Sequence, residues 1–205
     1  MSDERLALAR RVGILGGTFD PIHFGHLAIA EEARERFALD VVLFIPTGEP
    51  PHKPAGRASA EVRYRMTELA IADNPAFAAS RIEVDRPGRS YTVETLEQLH
   101  AQYPQAAFCL IMGADMAIDF PSWRDPEGIL ARAALIVANR PEYPQQDILD
   151  LQTRIGPERL QIMEGPGLWI SSTDLRQRVR EGRSIRYLVP SPVVEFICGN
   201  GLYLG

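Results

Sequence analysis

The feature that most constrains this chain is a set of short, uninterrupted apolar runs separated by segments of helical period. Val41 to Ile45 is apolar throughout and stops at Pro46; Phe108 to Met112 stops at Gly113; Ala134 to Ala138 is a third run. Val12-Gly13-Ile14-Leu15 is a fourth, and Leu160 to Met163 a weaker fifth. A strand with one face in water alternates apolar and polar residues. These runs do not, so both of their faces must be covered. Helical spacing marks 27–34, 60–73 (Val62, Met66, Leu69 and Ala70 on one side), 92–102 (Val93, Leu96, Leu99), 173–181 and 192–198. Residues 81–85 read as one more short strand. Strands and helices in alternation predict an α/β fold: an open, doubly wound parallel sheet with helices on both faces.

Ligands of such sheets collect beyond the carboxyl ends of the strands. After the first run comes Gly16-Gly17-Thr18-Phe19-Asp20-Pro21-Ile22-His23-Phe24-Gly25-His26. Asp20-Pro21 predicts a helix entry, with proline in the first turn. His23 and His26 then lie three apart, about 60° from each other around the helix. Unpaired amides and the positive end of the helix dipole suit an anion there. Gly16 and Gly17 remove side chains where backbone must approach a ligand, and Gly25 can do the same. The histidines alone also admit a purely structural role; their place in a strand–turn–helix favours a phosphate site. Zinc is disfavoured by the spacing of three and by the lack of a nearby cysteine or third histidine. The chain has no Gly-x-Ser-x-Gly elbow and no Gly-x-Gly-x-x-Gly fingerprint.

Bulk properties narrow the partners. A length of 205 residues predicts a single domain, 1–205. A formal net charge of -5 argues against a nucleic-acid-binding surface. No apolar run reaches the length of a membrane span, and the first residues mix acids and bases without the apolar core of an export signal, so a cytoplasmic protein is expected. Cys109 and Cys198, each in a hydrophobic segment, read as two buried thiols.

The segment Gly16 to His26 resembles the HxGH signature of the nucleotidyltransferase superfamily, and Ile170-Ser171-Ser172-Thr173-Asp174-Leu175-Arg176 resembles its C-terminal ISSTxxR motif. Three more stretches are similar to segments of bacterial nicotinate-mononucleotide adenylyltransferases: Pro50-Pro51-His52-Lys53, Ser90-Tyr91-Thr92-Val93-Glu94-Thr95-Leu96, and Gly113-Ala114-Asp115 with Phe120-Pro121-Ser122-Trp123. The likeness runs from about Val12 to Tyr203. It implies a Rossmann-like nucleotidyltransferase fold with a small C-terminal helical part, 171–205, and leaves 1–11 as an N-terminal extension with no assigned role.

The resemblance also implies a reaction. The adenylyl group of ATP passes to nicotinate mononucleotide, giving nicotinate adenine dinucleotide and pyrophosphate, a step of NAD biosynthesis. Attack is direct and in line, with no covalent intermediate and no general base, because the attacking phosphate oxygen is already anionic. In this reading His23, His26 and Arg176 are catalytic, with His26 on the α-phosphate, both histidines as charged donors, and Arg176 on the outer phosphates. ATP is further held by Gly16, Gly17, Thr18, Phe19, Gly113, Asp115 (on ribose hydroxyls), Ile170, Ser171, Ser172 and Thr173. His52, Lys53, Thr92, Trp123 and Arg124 bind the acceptor, with the Trp123 indole against the pyridine ring and Arg124 drawing the carboxylate. Arg176 also reads as one more solvated charge in a basic helix, Ser172 as a helix cap, and Trp123 as a packing residue. Magnesium is expected as a cofactor carried with ATP, with no protein ligands. No nucleic-acid or membrane partner is implied.

Overall fold

A computed structural model of the chain describes residues 2–48, 57–139 and 145–204. Its centre is a six-stranded parallel sheet built from β1 (Arg11–Gly17), β2 (Val41–Pro46), β3 (Phe77–Ala79), β4 (Ala107–Gly113), β5 (Ala133–Asn139) and β6 (Leu160–Glu164), in the order β3-β2-β1-β4-β5-β6. The helices are α1 (Ser2–Leu8), α2 (Phe24–Arg36), α3 (Ala60–Ile71), α4 (Thr92–Gln102), α5 (Ala114–Asp119), α6 (Pro126–Leu130), α7 (Gln145–Ile155), α8 (Ser172–Arg180) and α9 (Ser191–Gly199). No helix among the described residues is long and apolar enough to cross a membrane.

The unbroken apolar runs behave as their composition requires. Successive strand residues point to opposite faces. Val12, Ile14, Leu43, Leu110 and Leu135 therefore join one buried cluster with α1, α4, α6 and α7. Leu15, Phe44, Ile111 and Ile136 join the other, with α2, α3, α8 and α9. The 171–205 part thus supplies Leu175, Val193, Ile197 and Tyr203 to the second core. Strand order reverses between β1 and β4, and the crevice of an open parallel sheet forms at such a switch point. β1 ends there in Gly16-Gly17, and β4 in Gly113.

Four expectations change. Residues 81–85 form a turn, closed by the Asp85 amide on the Arg81 carbonyl and by Arg81 ion pairs to Glu61 and Asp85. The edge strand is β3 instead, held to β2 by backbone pairing that its sequence does not advertise. Helix α2 begins at Phe24 rather than at Pro21, with His23 in extended conformation just before it. Four helices, α1, α5, α6 and α7, appear outside the segments of helical spacing. α1 buries Leu6, and α7 buries Ile148 and Leu151 from within an otherwise polar segment. Of the polar bend read at 141–146, residues 141–144 lie outside the described residues. Finally, Cys109 is buried but Cys198 is exposed.

Candidate active site

A cavity of about 410 Å³ opens at the switch point. Its walls come from the β1 turn (Gly16, Gly17, Thr18), from His26 on α2, from Thr92 on α4, and from Gly113, Asp115 and Trp123 after β4. Glu83, Ser90, Thr95 and Met116 complete it. A Cβ on Gly16 would have no protein atom within 4 Å, so the absent side chain leaves open space on this wall. Burial raises the Glu83 carboxyl above its ordinary value, and the Thr95 hydroxyl donates to it at 2.7 Å.

The turn between β1 and α2 fixes the histidines. Phe19 sits in the left-handed region at φ 50, unusual for a bulky residue, and is 2% exposed. Its ring meets His26 edge-on at 5.0 Å. His23 is the residue before the first turn of α2, in extended conformation, and its ring stacks on His26 with centroids 3.7 Å apart. The His23 backbone N–H donates to Nδ1 of His26 at 3.3 Å. Nδ1 must therefore carry its lone pair, and the ring proton resides on Nε2. Gly25 has another task than the one expected of it. A Cβ there would lie 3.0 Å from Nδ1 of His23, so its absence makes room for the stacked ring.

The distal motif reaches the same turn. Ser171 caps α8 by accepting the Asp174 amide, and the Ser172 hydroxyl donates to the Pro21 carbonyl at 2.9 Å. Arg176, 6% exposed, donates from Nη1 to the Asp20 carbonyl at 2.6 Å and from Nη2 to the Thr173 hydroxyl at 3.1 Å. Burial, with the like charge of Arg57, pushes its guanidinium below the usual range. The motif arginine is thus built into the turn rather than being one more solvated charge of its helix. Ile170 packs, partly buried, against the second core.

The acceptor-side residues divide. Thr92 and Trp123 line the cavity, Trp123 also packing on Phe120 at 5.6 Å. Arg124 spends its guanidinium on Glu94 at 3.2 Å and over the Tyr91 ring at 4.3 Å. His52 and Lys53 lie outside the described residues.

Sequence reasoning passed over several residues at this site. Asp20, 1% exposed, sits inside the quoted motif but was read only as a helix entry. Arg63 is 2% exposed and donates to the carbonyls of Thr18, Gly48 and Ala58, joining the turns after β1 and β2. Its signal was available: a cation three residues before Met66 interrupts the apolar face of α3. Tyr203 and Arg57 gave none.

A model of the cytidylyltransferase-like family matches residues 14–178. A protein of Roseiflexus sp. (strain RS-1), named "Probable nicotinate-nucleotide adenylyltransferase", is 53% identical over 198 residues, 94% of this chain and 97% of that one. A Thermus thermophilus protein of the same name is 44% identical over 193 residues, 94% and 99% of the two chains. Among solved structures, the Plasmodium falciparum nicotinic acid mononucleotide adenylyltransferase complexed with NaAD shares the fold at a TM-score of 0.79 and 19% identity, over 95% of this chain and 97% of that one.

Proposed function

This chain belongs to the nicotinate-nucleotide adenylyltransferases, within the cytidylyltransferase-like family, and from that premise we propose how its residues carry the reaction. The enzyme transfers the adenylyl group of ATP to nicotinate mononucleotide, in NAD biosynthesis. An oxygen of the acceptor's 5′-phosphate attacks the α-phosphorus of ATP, the new P–O bond forms as the bond to the bridging oxygen breaks, and pyrophosphate leaves with the electron pair. The nucleophile needs no base. Catalysis lies in bringing two anions together and stabilising the charge that grows between them.

The observation that carries this reading is the fixed imidazole of His26 on the cavity wall beside Gly16. Its Nε2–H is the donor for a non-bridging oxygen of the α-phosphate. It is held by the His23 amide, the His23 ring and the Phe19 edge, so little reorganisation is required as charge develops. Arg176 and the start of α8 take the outer phosphates. Asp115, at the end of β4, receives ribose hydroxyls. Trp123 and Thr92 take the pyridine ring and its carboxylate, with His52 and Lys53 on the acceptor's phosphate. Arg124, occupied by Glu94 and Tyr91, fixes that wall and draws the carboxylate from a distance.

Among the described residues no cluster of His, Cys, Asp or Glu could hold a metal ion. The donor set fits magnesium that arrives on the phosphates of ATP and keeps its waters, as part of the substrate. A cytoplasmic setting, where ATP and magnesium abound, suits this chemistry. The chain is read as one nucleotidyltransferase domain whose 171–205 part serves the triphosphate. Mixing the protein with MgATP and nicotinate mononucleotide is expected to release pyrophosphate and form the dinucleotide, with nicotinamide mononucleotide run in parallel. No pyrophosphate from the nicotinate substrate would overturn the proposal.

A further inference from the structure

Three distant segments meet on the buried Asp20. The Tyr203 hydroxyl donates to Oδ1 at 2.6 Å, across 183 residues of sequence, and the Ala58 amide donates to the same oxygen at 3.3 Å. Arg57 Nη1 stands 3.4 Å from Oδ2, and Arg176 Nη1 stands 4.0 Å from it while bonding the Asp20 carbonyl. The charge of buried Arg63 reaches the Tyr203 phenol as well. Two guanidiniums thus flank one carboxylate, three residues before His23, so the cluster keeps a positive excess that an anion would balance.

Tyr203 belongs to the end of the chain, in the turn after α9, at φ 67 and 7% exposed. We propose that Tyr203 is a positioning residue for the triphosphate: by occupying Oδ1 of Asp20 it keeps the carboxylate from capturing Arg176. Without the hydroxyl, Oδ1 retains only the longer bond from Ala58. Arg57 already stands beside Oδ2, so the freed carboxylate turns toward Arg176 and the 4.0 Å gap closes to a direct ion pair. That pull takes the guanidinium from the Thr173 hydroxyl and out of reach of the outer phosphates. The end of the chain thereby sets the ATP side of the site, while the acceptor side, on β4 and α4, is untouched.

The inference rests on the adenylyl-transfer reading, and the experiment separates the two. Steady-state kinetics are measured for the wild type and for Tyr203→Phe with each substrate varied, alongside thermal melting. The expected result is a rise of about tenfold in the KM for MgATP, the scale of one lost hydrogen bond to a charged acceptor, with the KM for nicotinate mononucleotide within about twofold. Adding Asp20→Asn to Tyr203→Phe removes the pull on Arg176 and should recover part of the ATP affinity. An unchanged KM for ATP overturns the role of Tyr203. So does an equal rise for both substrates that Asp20→Asn does not relieve, the mark of a merely structural contact. If Tyr203→Phe does not fold, p-fluorophenylalanine at 203 fills the hydroxyl's space without a donor; an ATP KM equal to the wild type's then overturns the proposal. A wild type that releases no pyrophosphate overturns both readings.

Discussion

The imidazole of His26 is clamped by His23 from two directions: ring against ring at 3.7 Å, and backbone N–H to Nδ1 at 3.3 Å. One residue supplies both contacts because it stands just outside the helix that carries the other. A bond accepted at Nδ1 calls for the tautomer with the proton on Nε2, and ¹⁵N imidazole shifts should show that form for His26. Replacing His26 with Ala is expected to lower kcat by roughly 100- to 1,000-fold, on the scale of losing one preorganised donor, with little change in ATP affinity. Near-normal turnover would exclude the role.

Gly25 and Gly16 should fail in opposite ways. Gly25→Ala places a Cβ 3.0 Å from Nδ1 of His23. Alanine favours the helix by about 1 kcal/mol, so the melting temperature should hold while turnover falls, about tenfold or more, as the stacked ring is displaced. Gly16→Ala meets no protein atom within 4 Å. It should fold as the wild type does and raise KM, because the new methyl projects into the cavity. Kinetics and thermal melting on both variants check the pair.

Arg63→Met should be a stability mutant. Its three carbonyl acceptors, on Thr18, Gly48 and Ala58, would be left without this donor. Each buried polar group so abandoned costs about 1–3 kcal/mol, so a loss of about 3 kcal/mol or more is expected in urea unfolding. Arg63→Lys should recover only part, since a single ammonium cannot span the fork.

Tyr203 gives a pH signature. Burial, then the hydrogen bond and charge of Asp20, push its phenol well above the ordinary value of 10.0. A proton held more tightly in the folded state means that stability is fully present below the ordinary tyrosine range and declines as pH climbs through the raised value. Alkaline titration followed by tyrosinate absorbance should show a late component that Tyr203→Phe removes. Loss of a component in the ordinary tyrosine range instead would place the phenol in water.

Much of this was legible in the residues. Unbroken apolar runs announced strands buried on both faces, and Gly16 to His26 pointed to the end of the first, where the cavity opens. Thr92 and Trp123 came from a likeness between short segments, and both line the cavity. Helix α2 starts later than Asp20-Pro21 suggests because that pair has the composition of a helix entry, whereas the chain runs three residues further before it turns helical. Strand β3 was misjudged because three residues at a sheet edge carry too little pattern to outweigh Ile82 and Val84 nearby.

What the sequence determined by itself was periodicity and local chemistry: which segments must be covered, and where an anion could meet bare amides and imidazoles. The tertiary structure alone decided which distant groups share a space. The Tyr203 hydroxyl meets Asp20, and Arg63 ties two strand ends together, only because the sheet brings their segments within hydrogen-bond reach. Sequence pattern is read over a few turns of chain, while hydrogen bonds and charge act over a few ångströms of space, and only folding brings those two scales together.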